Sequence, residues 1–208
     1  MLQQTQVDRV IPKYRAFIKT FPTAKRLAAA SLADVLKLWS GLGYNRRAKY
    51  LHEAAKLWGG VPLEDLPGVG PYTASAVRVF AYNEPVNMIE TNIRTVIIHH
   101  CFSRRNKVSD IEILQLTGIL LSNQKVKKDP RTWYSALMDY GSYLKKIHTN
   151  PSRLSSSHIK QKPFKGSDRE IRGAILRAHL AGTPLSKLPF LPERVHRLEK
   201  ILKQEKLI

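Results

Sequence analysis

Leu66 to Val77 reads LPGVGPYTASAV, and it commits the chain to a sharp turn that opens straight into a helix. The turn is expected to need backbone angles that a side chain resists, which is the reason for glycine at 68 and 70. Pro71 fits the first turn of a helix, where its missing N–H costs nothing. A turn of this kind leaves backbone N–H groups at the positive end of a helix dipole, a setting that suits a phosphate. Without a Cβ at the glycines the phosphate comes close. A Gly-x-Gly turn is also an ordinary connection between helices, so its meaning depends on the rest of the chain.

The rest reads as helix almost throughout. Val7, Val10, Ile11, Tyr14, Phe17 and Ile18 recur at helical spacing, and Pro12 is expected to kink or restart that helix. Ser31 caps Leu32 to Trp39, which stops at Gly41, and Arg46 to Trp58 ends at Gly59-Gly60. Pro71 to Tyr82 and Thr91 to Phe102 follow. Ser109 and Glu112 form a capping box before Ile111 to Leu121, and Asp129-Pro130 opens Arg131 to Leu144. No alternating strand pattern persists. The expected fold is all-α: a helical domain over 1–146, a linker or loop over 147–168 rich in Ser, Pro and Lys, and a small basic helical tail over 169–208.

Charge narrows the partners. The formal net charge is +19, from 35 Lys and Arg against 16 Asp and Glu. Such an excess repels itself unless a polyanion offsets it, and nucleic acid is the leading candidate. No apolar run reaches the ~18 residues that span a bilayer, and no signal-peptide pattern opens the chain. The expected setting is the cytoplasm or nucleoid, or the nucleus in a eukaryote. Cys101 is the single cysteine and, in VIIHHCF, is expected to be buried. No intramolecular disulfide and no cysteine-based metal site can form.

Five blocks in order carry a resemblance: MLQQTQVDRVIPKY at the start, GLGYNRRAKYLHEAA from Gly41, LPGVGPYTASAV from Leu66, IETNIRTV from Ile89 and ALMDYGSYL from Ala136. Together they resemble the MutY adenine DNA glycosylases of the helix-hairpin-helix superfamily, which includes endonuclease III. The likeness covers roughly residues 1–146. It implies an enzyme of base-excision repair that acts as a monomer on double-stranded DNA with a mispaired or damaged base, and that takes the base out of the stack. It implies that Gly68, Val69 and Gly70, with Thr73, hold the DNA backbone, with a monovalent cation at the hairpin. Gln4, or else Gln3, wedges into the duplex, and Tyr44 stacks beside the base opposite the flipped one. Apart from the resemblance, the glutamines read as a polar helix start and Tyr44 as a half-buried core residue.

Tyr72 stands where the lyase relatives carry a lysine. A phenol cannot form a Schiff base, so the resemblance implies a monofunctional glycosylase, with adenine favoured over thymine by LQQT in place of LQRT. Glu90, with Asn92 beside it, stands where the family has Asp-Gly-Asn. Its carboxylate would stabilise the developing sugar cation, one methylene further out. Its other reading is a helix cap. The family's glutamate that protonates adenine lies two residues before the methionine of MLQQT, where this chain begins. Adenine excision is therefore expected to be impaired as written, with a catalytically inactive mismatch-binding protein, or a glycosylase for another base such as thymine, as the alternatives. The four cysteines that commonly hold the family's iron–sulfur cluster are missing, so no such cofactor is expected. His148 and His158 read as isolated residues of a solvated loop.

Overall fold

The computed structural model describes residues 1–3, 5–158 and 163–208, and the helices come in the order that the sequence implies. They are α1 (Val7–Thr20), α2 (Ala24–Ala28), α3 (Leu32–Trp39), α4 (Arg46–Leu57), α5 (Pro71–Tyr82), α6 (Thr91–Cys101), α7 (Asp110–Ser122), α8 (Gln124–Lys128), α9 (Pro130–Ile147), α10 (Asp168–Leu180) and α11 (Pro192–Gln204). Local chemistry sets many of the ends. The Ser31 hydroxyl accepts from the Asp34 amide, and the full capping box of Ser109 and Glu112 forms. Asp129 caps α9 through the Thr132 amide. Among the described residues there is no strand, only one parallel bridge between Val108 and Ser155. No helix there is long and apolar enough to cross a membrane.

Pro12 does not restart α1. The helix runs through it, with Val10 and Phe17 buried on either side. The carbonyl that loses its bond to Pro12 belongs to Asp8, an exposed residue that water can serve.

The chain divides into two compact units, one made of Met1–Gly68 with Gln161–Ile208, the other of Val69–Lys160. This partition differs from a domain ending near 146 with a separate tail. In the first unit Phe17, Leu36 and Trp39 share a core with Ile171, Ile175 and Leu198. The tail helices therefore complete the N-terminal core. Lys49 donates to the carbonyl of Glu205 (2.7 Å), and Arg172 pairs with the Glu205 carboxylate (2.5 Å). Asp168 binds Arg194 and Arg197, each at 2.6 Å, and those two cations hold its carboxyl below its ordinary range.

In the second unit α6 packs chiefly on α9, over a core that includes Val79, Met88, Ile93, Ile113 and Tyr134. Residues after 146 join this core. A short 3-10 turn at Pro151–Leu154 packs on α6, and Val108 exchanges backbone hydrogen bonds with Leu154 and Ser156. Cys101, expected to be buried, is exposed: it lies in the last turn of α6, past the buried run Thr95 to Ile98.

Candidate nucleic-acid interface and catalytic residues

In the second unit the extended segment before Glu90 is fixed from beneath. The fully buried Tyr134 hydroxyl accepts from the Met88 amide (3.1 Å) and donates to the Val86 carbonyl (3.2 Å). Asn87 donates to the Leu114 carbonyl (2.8 Å) and accepts from the Thr117 hydroxyl (2.7 Å). The chain then enters α6, where Glu90 is the N-cap. Its Oε1 accepts from the amides of Asn92 (2.5 Å) and Ile93 (3.0 Å). Of the two readings of Glu90 the helix cap is the one seen here, and it is made through a single carboxylate oxygen.

The start of α6 sits hard against α9. A Cβ at Gly141 would lie 2.3 Å from the Asn92 carbonyl oxygen, so only glycine permits this approach. Asn92 presents a buried side-chain Oδ1 with no hydrogen-bond partner, an acceptor left over at the mouth of the helix. Tyr72, on the first turn of α5, is 38% exposed. Burial, and then the Glu90 charge, push its phenol above the ordinary range, so it remains a hydrogen-bond donor at neutral pH. Tyr72 thus lies within reach of the Glu90 charge, and the Asn92 amide is bound to the Glu90 carboxylate. Arg94, one turn on, makes a bidentate pair with Asp110 (2.8 and 2.6 Å). Arg94 also holds the Asp110 carboxyl below its ordinary range, helped by the hydroxyls of Ser157 and Ser155. Neither Arg94 nor Asp110 stood out among the charged residues of the sequence.

The Gly-x-Gly turn shows two different needs for glycine. Gly68 has φ +75°, and a Cβ there would come within 2.7 Å of Tyr50. Gly70 is extended (φ −88°, ψ 176°) and a Cβ on it would meet no atom of the chain within 4 Å. Neither its backbone angles nor its neighbours require glycine at 70. Val69 is half-buried, Gly70 exposed and Thr73 half-buried at the head of α5.

In the first unit Gln3 is exposed, while Gln4 lies outside the described residues. Tyr44 is 40% exposed and holds φ +48°, a left-handed conformation that bulky residues avoid. Its hydroxyl accepts from Arg169 (3.2 Å). The segment that carries Gln3 and the loop that carries Tyr44 are joined by Arg47, a residue the sequence offered no reason to single out among 35 basic side chains. His148 is not isolated: its ring stacks on His99 (5.0 Å, 29°), and the His100 Nε2 lies 2.9 Å from the Tyr140 hydroxyl. Even so, no group of three or more His, Cys, Asp or Glu among the described residues could hold a metal ion.

Residues 1–119 match the family model described as HhH-GPD superfamily base excision DNA repair protein. The chain is 34% identical over 201 residues to an adenine DNA glycosylase of Mycolicibacterium smegmatis, covering 85% of this chain and 68% of that one. It is 46% identical over 107 residues to the adenine DNA glycosylase of Mycobacterium tuberculosis H37Rv (47% of this chain, 35% of that one). The human adenine DNA glycosylase is 40% identical over 108 residues (47% and 20%). In the latter two the matched part is about a third or less of the relative's own length. The fold is also that of a thermostable thymine-DNA glycosylase, with a TM-score of 0.53 at 23% identity over 74% of this chain and 78% of that one. With more than half of its length matched by the family model, this chain belongs to the HhH-GPD superfamily of base excision DNA repair proteins.

Proposed function

We propose that this chain is a monofunctional DNA glycosylase that binds duplex DNA as a monomer and hydrolyses the N-glycosidic bond of adenine mispaired with guanine or 8-oxoguanine. The observation that carries the reading is the cluster at the head of α6. Glu90 supplies a fixed negative charge, Tyr72 a protonated phenol beside it and Asn92 a buried, unused acceptor. Breaking a glycosidic bond builds positive charge on the sugar, and a carboxylate already held in place stabilises that charge without reorganising. The similarity to curated adenine DNA glycosylases supports adenine as the base. Tyr72 cannot form an imine, which supports hydrolysis without strand cleavage. With Cys101 as its single cysteine, the chain does not offer the ligands of a four-cysteine iron–sulfur cluster, and we read it as working without one. DNA contact would come through backbone amides at Val69 and Gly70, Thr73, the Gln3 segment and Tyr44, at whatever place the genome lies.

A second reading is mismatch binding without excision. It is favoured by one observation, that the Glu90 oxygen is already engaged by two amides as a cap. Single-turnover release of adenine from an A·G duplex separates the two. Under the first reading adenine is released, Glu90→Gln slows release by about 10²-fold or more, and borohydride traps no covalent complex on abasic DNA. Tight, mispair-selective binding with no release from wild type supports the second reading. Equal binding to matched and mispaired duplexes, with no release, sinks both.

A further inference from the structure

We propose that Arg47 is the positioning residue that locks Gln3, Thr5 and Tyr44 into a single rigid face, and that this face lets the protein distinguish mispaired from matched duplex. The proposal rests on the duplex-binding reading above. The sequence places these two parts some forty residues apart, and one guanidinium joins them. Arg47 Nη1 donates to the carbonyls of Met1 (3.3 Å) and Gln3 (2.5 Å). Its Nη2 donates to the Thr5 hydroxyl and to the Gly43 carbonyl, both at 3.3 Å. The plane also lies against two rings, with its centre 5.4 Å from the Trp39 ring and 5.3 Å from that of Tyr44. Two secondary ties run the same way. The Thr5 hydroxyl is 3.3 Å from the Leu42 carbonyl, and Arg9 donates to the Gly41 carbonyl.

The group is built for rigidity at a cost. Burial lowers the guanidinium's pKa, and its Nε is buried with no hydrogen-bond partner. Tyr44 is held at positive φ, a conformation that a bulky residue keeps only where its surroundings over-determine it. What that arrangement presents outward is chemically apt for an opened base stack. Leu2 is 59% exposed and Tyr44 40% exposed, an apolar wedge and an aromatic face. A lysine at 47 keeps the charge but has neither the planar fork that serves four acceptors nor the flat surface between two rings.

Arg47→Lys tests this, with Thr5→Val as a milder second variant that leaves the arginine in place. In the free protein, amide hydrogen exchange over residues 2–6 and 41–45 should quicken at least tenfold in Arg47→Lys, and less in Thr5→Val, while exchange over 10–39 stays the same. On DNA, the ratio of affinities for A·G over matched duplex should fall about tenfold in Arg47→Lys. Affinity for matched duplex should stay within about twofold, and the salt slope should be unchanged because the phosphate contacts are untouched. Fluorescence of 2-aminopurine beside the mispair, raised by wild type, should no longer rise. Unchanged exchange in both variants overturns the clamp. Equal loss on matched and mispaired duplex overturns its role in discrimination and reduces Arg47 to a charge. A wild-type chain with no mispair preference would instead remove the mismatch reading and the discriminating role, and the exchange data would still decide the clamp.

Discussion

The two units hold their candidate site residues in opposite ways. In the second unit position comes from close packing: α9 approaches α6 at Gly141 so tightly that the Asn92 carbonyl occupies the space of a side chain. In the first unit position comes from polar bonds to irregular backbone, through Arg47, Thr5 and a tyrosine at positive φ. Under the function proposed above, the contrast matches two tasks. A carboxylate meant to meet a developing charge gains from being fixed to within a fraction of an ångström. A surface meant to test the stacking of a duplex needs several anchors and exposed side chains. Packing gives the first a single steep minimum, and a fork of hydrogen bonds gives the second a shallower one.

Substitutions can break that contrast in order of size. Gly141→Ala should be the most damaging, because helix backbone rather than a flexible side chain must yield. We expect a loss of about 3 kcal/mol, which for a chain of this size lowers Tm by roughly 6–12 °C. A loss below about 1 kcal/mol in urea unfolding would show that α6 and α9 slide apart freely.

Arg94→Ala should come next, at about 2 kcal/mol at neutral pH, since it strands a half-buried carboxylate. Its pH signature is specific. Arg94 lowers the Asp110 pKa in the folded state, so the bond stabilises fully above the unfolded value of about 4 and fades as pH falls through the lowered one. The gap between wild type and Arg94→Ala should therefore narrow below pH ~4 and hold constant from pH ~5 to 7. A gap that is the same at pH ~2 would assign the loss to packing instead.

The smallest effects on stability separate two glycines of one turn. Gly68→Ala forces alanine to positive φ and against Tyr50, and should cost about 1–2 kcal/mol. Gly70→Ala meets nothing and should change stability by less than about 0.5 kcal/mol. Its effect belongs to DNA: a lost charge-assisted bond to phosphate is worth about 1.5–3 kcal/mol, so duplex affinity should drop about tenfold or more. If Gly70→Ala binds duplex as wild type does, the hairpin is a connection and nothing more.

What could be read from sequence was what local chemistry decides. Ser31, Ser109 with Glu112, and Asp129 mark helix starts because their bonds close within one turn, and Pro71 does so because its fixed φ and missing N–H suit a first turn. Glu90 as a cap was legible through its position before a helix, while Tyr72, Glu90 and Asn92 as a catalytic set rest on the resemblance. Features that depend on distant partners stayed hidden. Arg47 is one guanidinium among many until Met1, Gln3 and Gly43 surround it. Tyr44 gave no hint of positive φ, since a non-glycine there is held by its neighbours and not by its own preference. The Ser-rich stretch after 146 read as a linker because its order comes from Val108 and α6, well upstream. The short helices α2 and α8, five residues each, are too brief for periodicity to reveal.

The way α10 and α11 complete the core of the first unit bears on how the chain is made. Residues Val69 to Lys160 are contiguous and hold their own core, so they can fold while still tethered to the ribosome. The N-terminal helices, although synthesised earlier, cannot close theirs. Phe17, Leu36 and Trp39 must wait for Ile171, Ile175 and Leu198 to emerge. During that interval an early-made apolar surface stands open, and that is the moment at which nascent chains of this protein would most need a chaperone.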